Sequence, residues 1–238
     1  MRLDLYLVNK GLAETRSRAV HLIKTGNVVV NGTVCQKQSY NVKLADKVEI
    51  KAAFKYVSRA GYKIEAIFRR LSLTAVGKSI LDVGCSTGGF SDFFLQQGAT
   101  KVIGLDVARE IVDPRILAHP RFRFCGGVDA RDINALKRCL LSDKFDIISV
   151  DVSNALLKEV LPVVSAFLKS EGSILALFKP PYEMGRLLGS KEEADALTRE
   201  FDDWLRELYV VVGKEISPLR GGAKNKGTME IVYVLEPK

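Results

Sequence analysis

The chain is expected to be an α/β protein: a doubly wound, mainly parallel sheet with helices on both faces, behind a small α+β module. Three observations predict it. Short apolar runs recur at 78–83, 102–106 and 145–151, the last two ending in a carboxylate, and helical stretches separate several of them. The first run opens into the glycine-rich turn Gly84-Cys85-Ser86-Thr87-Gly88-Gly89, followed by a helix start. Positive charge is concentrated at the front, where residues 1–58 hold ten Lys/Arg against four Asp/Glu.

Residues 2–8 carry apolar side chains at helical spacing, and Gly11 is a good stop. Thr15 or Ser17 can cap a second helix over 18–25, with Ala19, Leu22 and Ile23 as its apolar face and Gly26 as its end. Residues 28–34 read as a hairpin turning at Asn31-Gly32, and 47–50 as one more strand. The stretch 51–57 joins this module, 1–57, to the larger one, 58–238. Ser58 is an N-cap for a helix with Ile64, Ile67, Phe68 and Leu71 on one face and Lys63 beside it. After the strands at 78–83 and 102–106, a third at 121–124 leads to Asp129 and a fourth at 145–153 contains Asp151. An amphipathic helix over 154–168 precedes a fifth strand, 172–178, followed at once by Lys179-Pro180-Pro181. A charged helix over 190–208 carries Trp204, read as core, and two antiparallel strands at 209–216 and 228–235 bracket a basic glycine-containing loop.

Composition narrows the function. The 238 residues are 47% hydrophobic, ample for a core, yet no apolar run approaches the roughly 20 residues that span a bilayer. No signal peptide is visible at the N-terminus. Cys35, Cys85, Cys125 and Cys139 show no CxxC pairing, so unpaired thiols in a reducing cytoplasm are expected, with neither zinc nor a disulfide framework. The net charge of +8, mostly in the front quarter, points to a polyanionic partner.

The chemistry is read from element ends. The GxxxGG turn is neither the GxGxxG dinucleotide fingerprint nor a P-loop. With Asp106 ending the next strand, where ribose hydroxyls are bound, it favours S-adenosylmethionine over nucleotide phosphates. Lys63, Asp151, Lys179 and Glu230 are ionisable groups at element ends. Asp151 and Lys179 follow adjacent strands, and a lysine closing an apolar strand is hard to justify by packing.

Two resemblances sharpen this reading. Arg2-Leu3-Asp4, Gly11-Leu12, Ser17-Arg18, Leu22-Ile23, Gly26 and Asn31-Gly32 resemble the RNA-binding domain of ribosomal protein uS4. That likeness implies RNA contacts from Arg2, Arg16, Arg18, Lys24 and Asn31, with Lys10 and Lys37 as additions. Residues 58–63, the turn from Asp82 to Phe90, Asp151, Phe178-Lys179-Pro180 and Glu230 resemble the FtsJ-type 2′-O-ribose methyltransferases, with Thr87 where many members have proline. The whole chain is similar to the TlyA (hemolysin A) family of ribosomal RNA methyltransferases, which implies a Rossmann-like methyltransferase sheet with Lys63, Asp151, Lys179 and Glu230 as its reactive set. Cofactor contacts then fall on Gly84, Cys85, Ser86, Gly88, Phe90, Asp106 and Asp129, and Arg220, Lys224 and Lys226 meet RNA phosphate. No metal is implied. The resemblance implies a cytidine of 23S rRNA as substrate, with 16S rRNA as a second candidate, and a cytoplasmic enzyme whose partner is the large ribosomal subunit rather than a membrane. The absence of the extra terminal segments of longer members favours the 23S target. Different classes of function are a pore-forming hemolysin and a non-catalytic ribosome-binding factor; the first lacks export and membrane signals, and the complete quartet argues against the second. Whether Lys179 is a base or stabilises an oxyanion stays open: burial and the Lys63 cation favour the neutral amine, Asp151 and Glu230 the ammonium.

Overall fold

The computed structural model describes residues 1–24, 26–50, 55–185, 190–217 and 230–238. They form two compact units, Met1–Lys55 and Tyr56–Lys238.

In the first unit, α1 (Leu3–Asn9) and α2 (Arg16–Lys24) pack on a three-stranded antiparallel sheet of β1 (Val28–Val30), β2 (Thr33–Val34) and β3 (Val48–Ile50), in the order β2-β1-β3. Leu3 and Leu7 meet Ala19, Leu22, Ile23, Val28 and Val30 in one apolar cluster. Of the two candidate caps, the Thr15 hydroxyl accepts from Arg18 N at 3.2 Å. Asn31 and Gly32 both take positive φ, 51° and 79°, the type I′ pattern that joins two twisted strands in two residues.

The second unit begins earlier than residue 58: Tyr56 and Val57 are buried in its core. Its helices and strands run α3 (Arg59–Arg70), β4 (Ser79–Val83), α4 (Gly89–Gln96), β5 (Lys101–Asp106), α5 (Pro114–Leu117), β6 (Phe122–Gly126), α6 (Ile133–Leu140), β7 (Phe145–Val150), α7 (Leu157–Ser165), β8 (Leu168–Phe178), α8 (Pro180–Glu183), α9 (Lys191–Leu208), β9 (Tyr209–Ile216) and β10 (Ile231–Pro237). The strand order is β6-β5-β4-β7-β8-β10-β9; β6 to β8 are parallel, and β10 runs antiparallel to both its neighbours. Alternating side chains separate the two faces. Leu81, Val83, Ile148, Val150, Ala176 and Phe178 pack under α6, α7 and α9, whereas Ile80, Ile147, Leu175 and Leu177 pack under α3 and α4. Trp204 stacks on Phe201 at 5.6 Å and belongs to the first of these cores. Strand order reverses at β4, so a crevice opens where β4 and β7 end.

The expectation of four unpaired thiols is corrected. Cys125 on β6 and Cys139 on α6 are joined as a disulfide with Cα atoms 6.3 Å apart, while Cys35 and Cys85 are free. A crossover helix returns onto its own strand, so cysteines 14 residues apart meet without any CxxC spacing. Among the described residues no helix is long and apolar enough to cross a membrane.

Candidate active site

The glycine turn is built around backbone that side chains would block. Gly84 has φ +77°, and a β-carbon there would lie 2.6 Å from the Asp151 carbonyl oxygen. The ends of β4 and β7 touch because residue 84 has no side chain. Ser86 also holds a positive φ, 50°. Its backbone N–H donates to Asp106 Oδ2 at 2.9 Å, while Ala108 N donates to Oδ1 at 2.9 Å, so Asp106 stitches the turn to the end of β5.

A cavity of about 360 Å³ opens over this turn. Gly84, Ser86, Asp106, Asp129 and Asp151 line it, with Arg131 the single cationic residue of the lining among the described residues. Asp129 is paired with Arg131 and Asp151 with two lysines, so Asp106 is the carboxylate of the lining with no cation beside it among the described residues, a charge that disfavours a phosphate and suits a ligand with positive charge. Arg131 grips Asp129 through Nη2 at 2.7 Å and Nε at 3.0 Å, and reaches Glu159 at 3.2 Å. The Arg131 hydrogen bonds hold the Asp129 carboxyl below its ordinary range. Cys85, Gly88 and Phe90 do not line the cavity. The first turn of α4 carries Phe90 into the core shared with α3, edge-on to Phe94 at 6.5 Å. Cys85 is buried, and burial pushes its thiol pKa up.

Beside the cavity stand the four reactive candidates, and the sheet explains their meeting. Val150 lies in register with Ala176, and Phe178 with Ile231, so Asp151, Lys179 and Glu230 leave the sheet at one edge. Helix α3 brings Lys63 across it. Lys63 Nζ lies 2.6 Å from Glu230 Oε2 and 3.6 Å from Asp151 Oδ2. Lys179 Nζ is ion-paired with Asp151 Oδ1 and donates to the Val152 carbonyl at 3.1 Å. Lys179 is 9% exposed and Glu230 6%, so these charges are held out of bulk water. Burial alone would raise the Asp151 pKa, but the Lys179 and Lys63 ammoniums outweigh it and keep the carboxylate ionised below the usual range. Burial opposes the charge on Lys63 as well; Asp151 and Glu230 outweigh it and raise its pKa, so Lys63 is a fixed cation.

Sequence reasoning passed over Asp82 as a site residue. It is fully buried beneath the turn, accepting from Ser91 Oγ of α4 at 2.7 Å and Ser149 Oγ of β7 at 2.9 Å. Burial pushes its pKa up to about 6 despite these bonds. The available signal was an acid inside an apolar run with a serine nine residues on.

In the first unit, Arg2 and Arg16 both bind Asp4, and Arg18 pairs with Glu14 at 3.0 Å. Lys10, Lys24 and Lys37 are exposed. The Asn31 side chain is spent internally: its Oδ1 accepts from Lys47 N and its Nδ2 donates to Asp46, each at 2.8 Å. Arg220, Lys224 and Lys226 lie outside the described residues.

Topology and site chemistry together define an α/β group-transfer domain, a switch-point crevice flanked by a lysine–carboxylate cluster, in a chain with a basic front module. The chain belongs to the FtsJ-like methyltransferase family, which matches residues 56–202, and an S4 domain matches residues 1–48. It is 32% identical over 237 residues to hemolysin A of Brachyspira hyodysenteriae, covering 94% of this chain and 96% of that one. It is 29% identical over 187 residues to the 16S/23S rRNA (cytidine-2′-O)-methyltransferase TlyA of Mycobacterium tuberculosis, covering 78% and 69%. The solved structure of a Streptococcus thermophilus protein described as a hemolysin matches with a TM-score of 0.74 at 27% identity, covering 100% of this chain and 88% of that one.

Proposed function

We propose that this chain is an S-adenosylmethionine-dependent methyltransferase acting on the ribose 2′-hydroxyl of a cytidine in 23S rRNA, with 16S rRNA as a second substrate. The observation that carries the reading is the contact of Lys63, Asp151, Lys179 and Glu230 with one another beside an acid-lined cavity. The likeness to a relative named as a 16S/23S rRNA (cytidine-2′-O)-methyltransferase supports the substrate class. The unit Met1–Lys55 serves as the RNA-binding domain and Tyr56–Lys238 as the methyltransferase domain. The enzyme works in the cytoplasm, on the large subunit in preference to the small.

The cavity's donor set fits the cofactor. Asp106 suits ribose hydroxyls, Asp129 suits an amino group, and the excess of carboxylates suits a ligand bearing sulfonium and ammonium charges. When bound, S-adenosylmethionine supplies an electrophilic methyl on a cationic sulfur. The chain's own residues handle the ribose oxygen. Asp151 and the Val152 carbonyl hold Lys179 Nζ in place, where a neutral amine would take the hydroxyl proton and an ammonium would neutralise the oxygen as charge develops on it. Lys63, charged and bound to both acids, supplies a second cation at that point and fixes Glu230. Exclusion of water strengthens each of these interactions.

Tritiated methyl transfer to ribosomal subunits from a strain lacking this protein tests the reading. Label should enter large-subunit RNA and leave the marked linkage resistant to alkali, because a methylated 2′-oxygen cannot attack its own phosphate. Absence of label from RNA, or label on a base, would contradict it.

A further inference from the structure

The geometry points to Asp4 as a positioning residue that holds Arg2 and Arg16 as a two-pronged fork for one RNA backbone phosphate. This rests on the RNA-binding reading of the first unit and gives it a mechanism. Asp4, in the first turn of α1, has no exposed surface. Arg2 binds it through Nε to Oδ1 at 3.0 Å and Nη2 to Oδ2 at 3.1 Å. Arg16, at the start of α2, binds Oδ2 through Nε alone at 2.9 Å. The two arginine side chains remain 43% and 58% exposed. Both terminal nitrogens of Arg16 and one of Arg2 therefore have no partner among the described residues.

The charge count argues against a merely structural pair. One arginine is enough to neutralise one buried carboxylate, and a second on the same group leaves a net positive charge at the surface. Guanidiniums are planar and always charged, and parallel N–H bonds match the oxygens of a phosphate. Free arginines would spend rotamer entropy to assemble such a fork; here the bonds to Asp4 have already ordered them. The backbone at Arg2 is pinned too, through a bridge to Asn41, and its carbonyl accepts from Tyr6 N at 2.8 Å.

The test is a salt titration of full-length protein binding to deproteinised 23S rRNA, comparing wild type, Asp4→Asn, Arg16→Lys and the double variant. Asp4→Asn removes one negative charge, so charge count alone predicts tighter binding. The fork predicts the opposite sign. Asp4→Asn and Arg16→Lys should each weaken binding about tenfold and flatten the slope of log K against log salt by about one. The double variant should be little worse than either, because both remove the same fork. Binding by folded Asp4→Asn as tight as wild type or tighter, or additive losses in the double variant, would overturn the inference. If Asp4→Asn fails to melt cooperatively, Arg16→Lys decides, since it keeps the charge at an exposed position: unchanged affinity and slope overturn the fork. Failure of the wild type to bind rRNA would instead overturn the RNA-binding reading itself.

Discussion

Asp4 and Asp151 are both carboxylates clamped between two cations, yet the clamps are made from different amino acids. At Asp4 the cations are arginines, and both terminal nitrogens of Arg16 and one of Arg2 have no partner among the described residues. At Asp151 they are lysines, and a second acid, Glu230, restores neutrality. An arginine cannot give up its proton in a protein and holds a fixed planar fork; a lysine is a compact charge that can lose a proton. The first clamp can therefore hold an anion but cannot move a proton. The second, two ammoniums against two carboxylates, is built from side chains that can give up a proton, and within it Asp151 and Glu230 keep Lys63 charged. One electrostatic motif thus suits RNA grip in one unit and proton handling in the other, through choice of side chain.

The largest expected effect breaks the lysine clamp. Lys179→Ala should lower methyl transfer at least about 10³-fold, measured as kcat, because in the proposed mechanism it removes the amine that meets the charge developing on the ribose oxygen. Lys179→Arg sharpens the comparison by importing the other clamp's chemistry. If Lys179 takes the proton, the arginine variant should be as inactive as alanine; if it only stabilises charge, Arg should recover a measurable part of the rate.

Asp82 supplies the control, a buried carboxylate held by serine hydroxyls. Its pKa of about 6 lies above the unfolded value, so between about pH 4 and 6 the native state holds the extra proton. Stability contributed by this group is thus present at low pH and falls as pH rises through that window, to a penalty on the order of 3 kcal/mol above pH 6. Asp82→Asn should therefore melt higher than wild type at pH 8, and the gap should close toward pH 4. Asp4 and Asp151 have lowered pKa values and the opposite sign: their pairing stabilises above about pH 4 and is lost as pH falls through their folded values. Acid titration of Asp4→Asn should accordingly show a shallower loss of first-unit stability below pH 4 than wild type.

A smaller effect is expected at Gly84. Alanine there adds left-handed strain and a contact with the Asp151 backbone, about 1–3 kcal/mol in all. S-adenosylmethionine affinity, read by calorimetry, should drop by roughly ten- to a hundredfold.

Much of this architecture was legible in the chain. The apolar runs at β4, β5, β7 and β8 are buried on both faces, so they stand out without alternation. Carboxylates and a lysine at strand ends marked the crevice because parallel strands deliver their C-terminal ends to one edge. The type I′ turn at Asn31-Gly32 could be read because both residues tolerate positive φ. Other features depended on distance in sequence. Lys63 and Glu230 are 167 residues apart, and no local pattern reports their bond; a family resemblance did. Helix α6 was missed, and with it the Cys125–Cys139 pairing, because its burial rests on only Leu136 and Leu140. Asp4 and Asp82 carry resemblances but no role in the sequence, because an acid within apolar sequence does not name its donors. The turn's position suggests Phe90 as a cofactor contact, whereas its ring packs in the core shared with α3 and outside the cavity lining.

The most direct measurement maps ribose methylation on rRNA incubated with S-adenosylmethionine and either wild type or a Lys179→Ala variant that retains cofactor binding by calorimetry. The account predicts a 2′-O-methylcytidine in 23S rRNA with wild type and none with the variant. Undiminished methylation by the variant, or a methyl group on a base rather than a sugar, would contradict it.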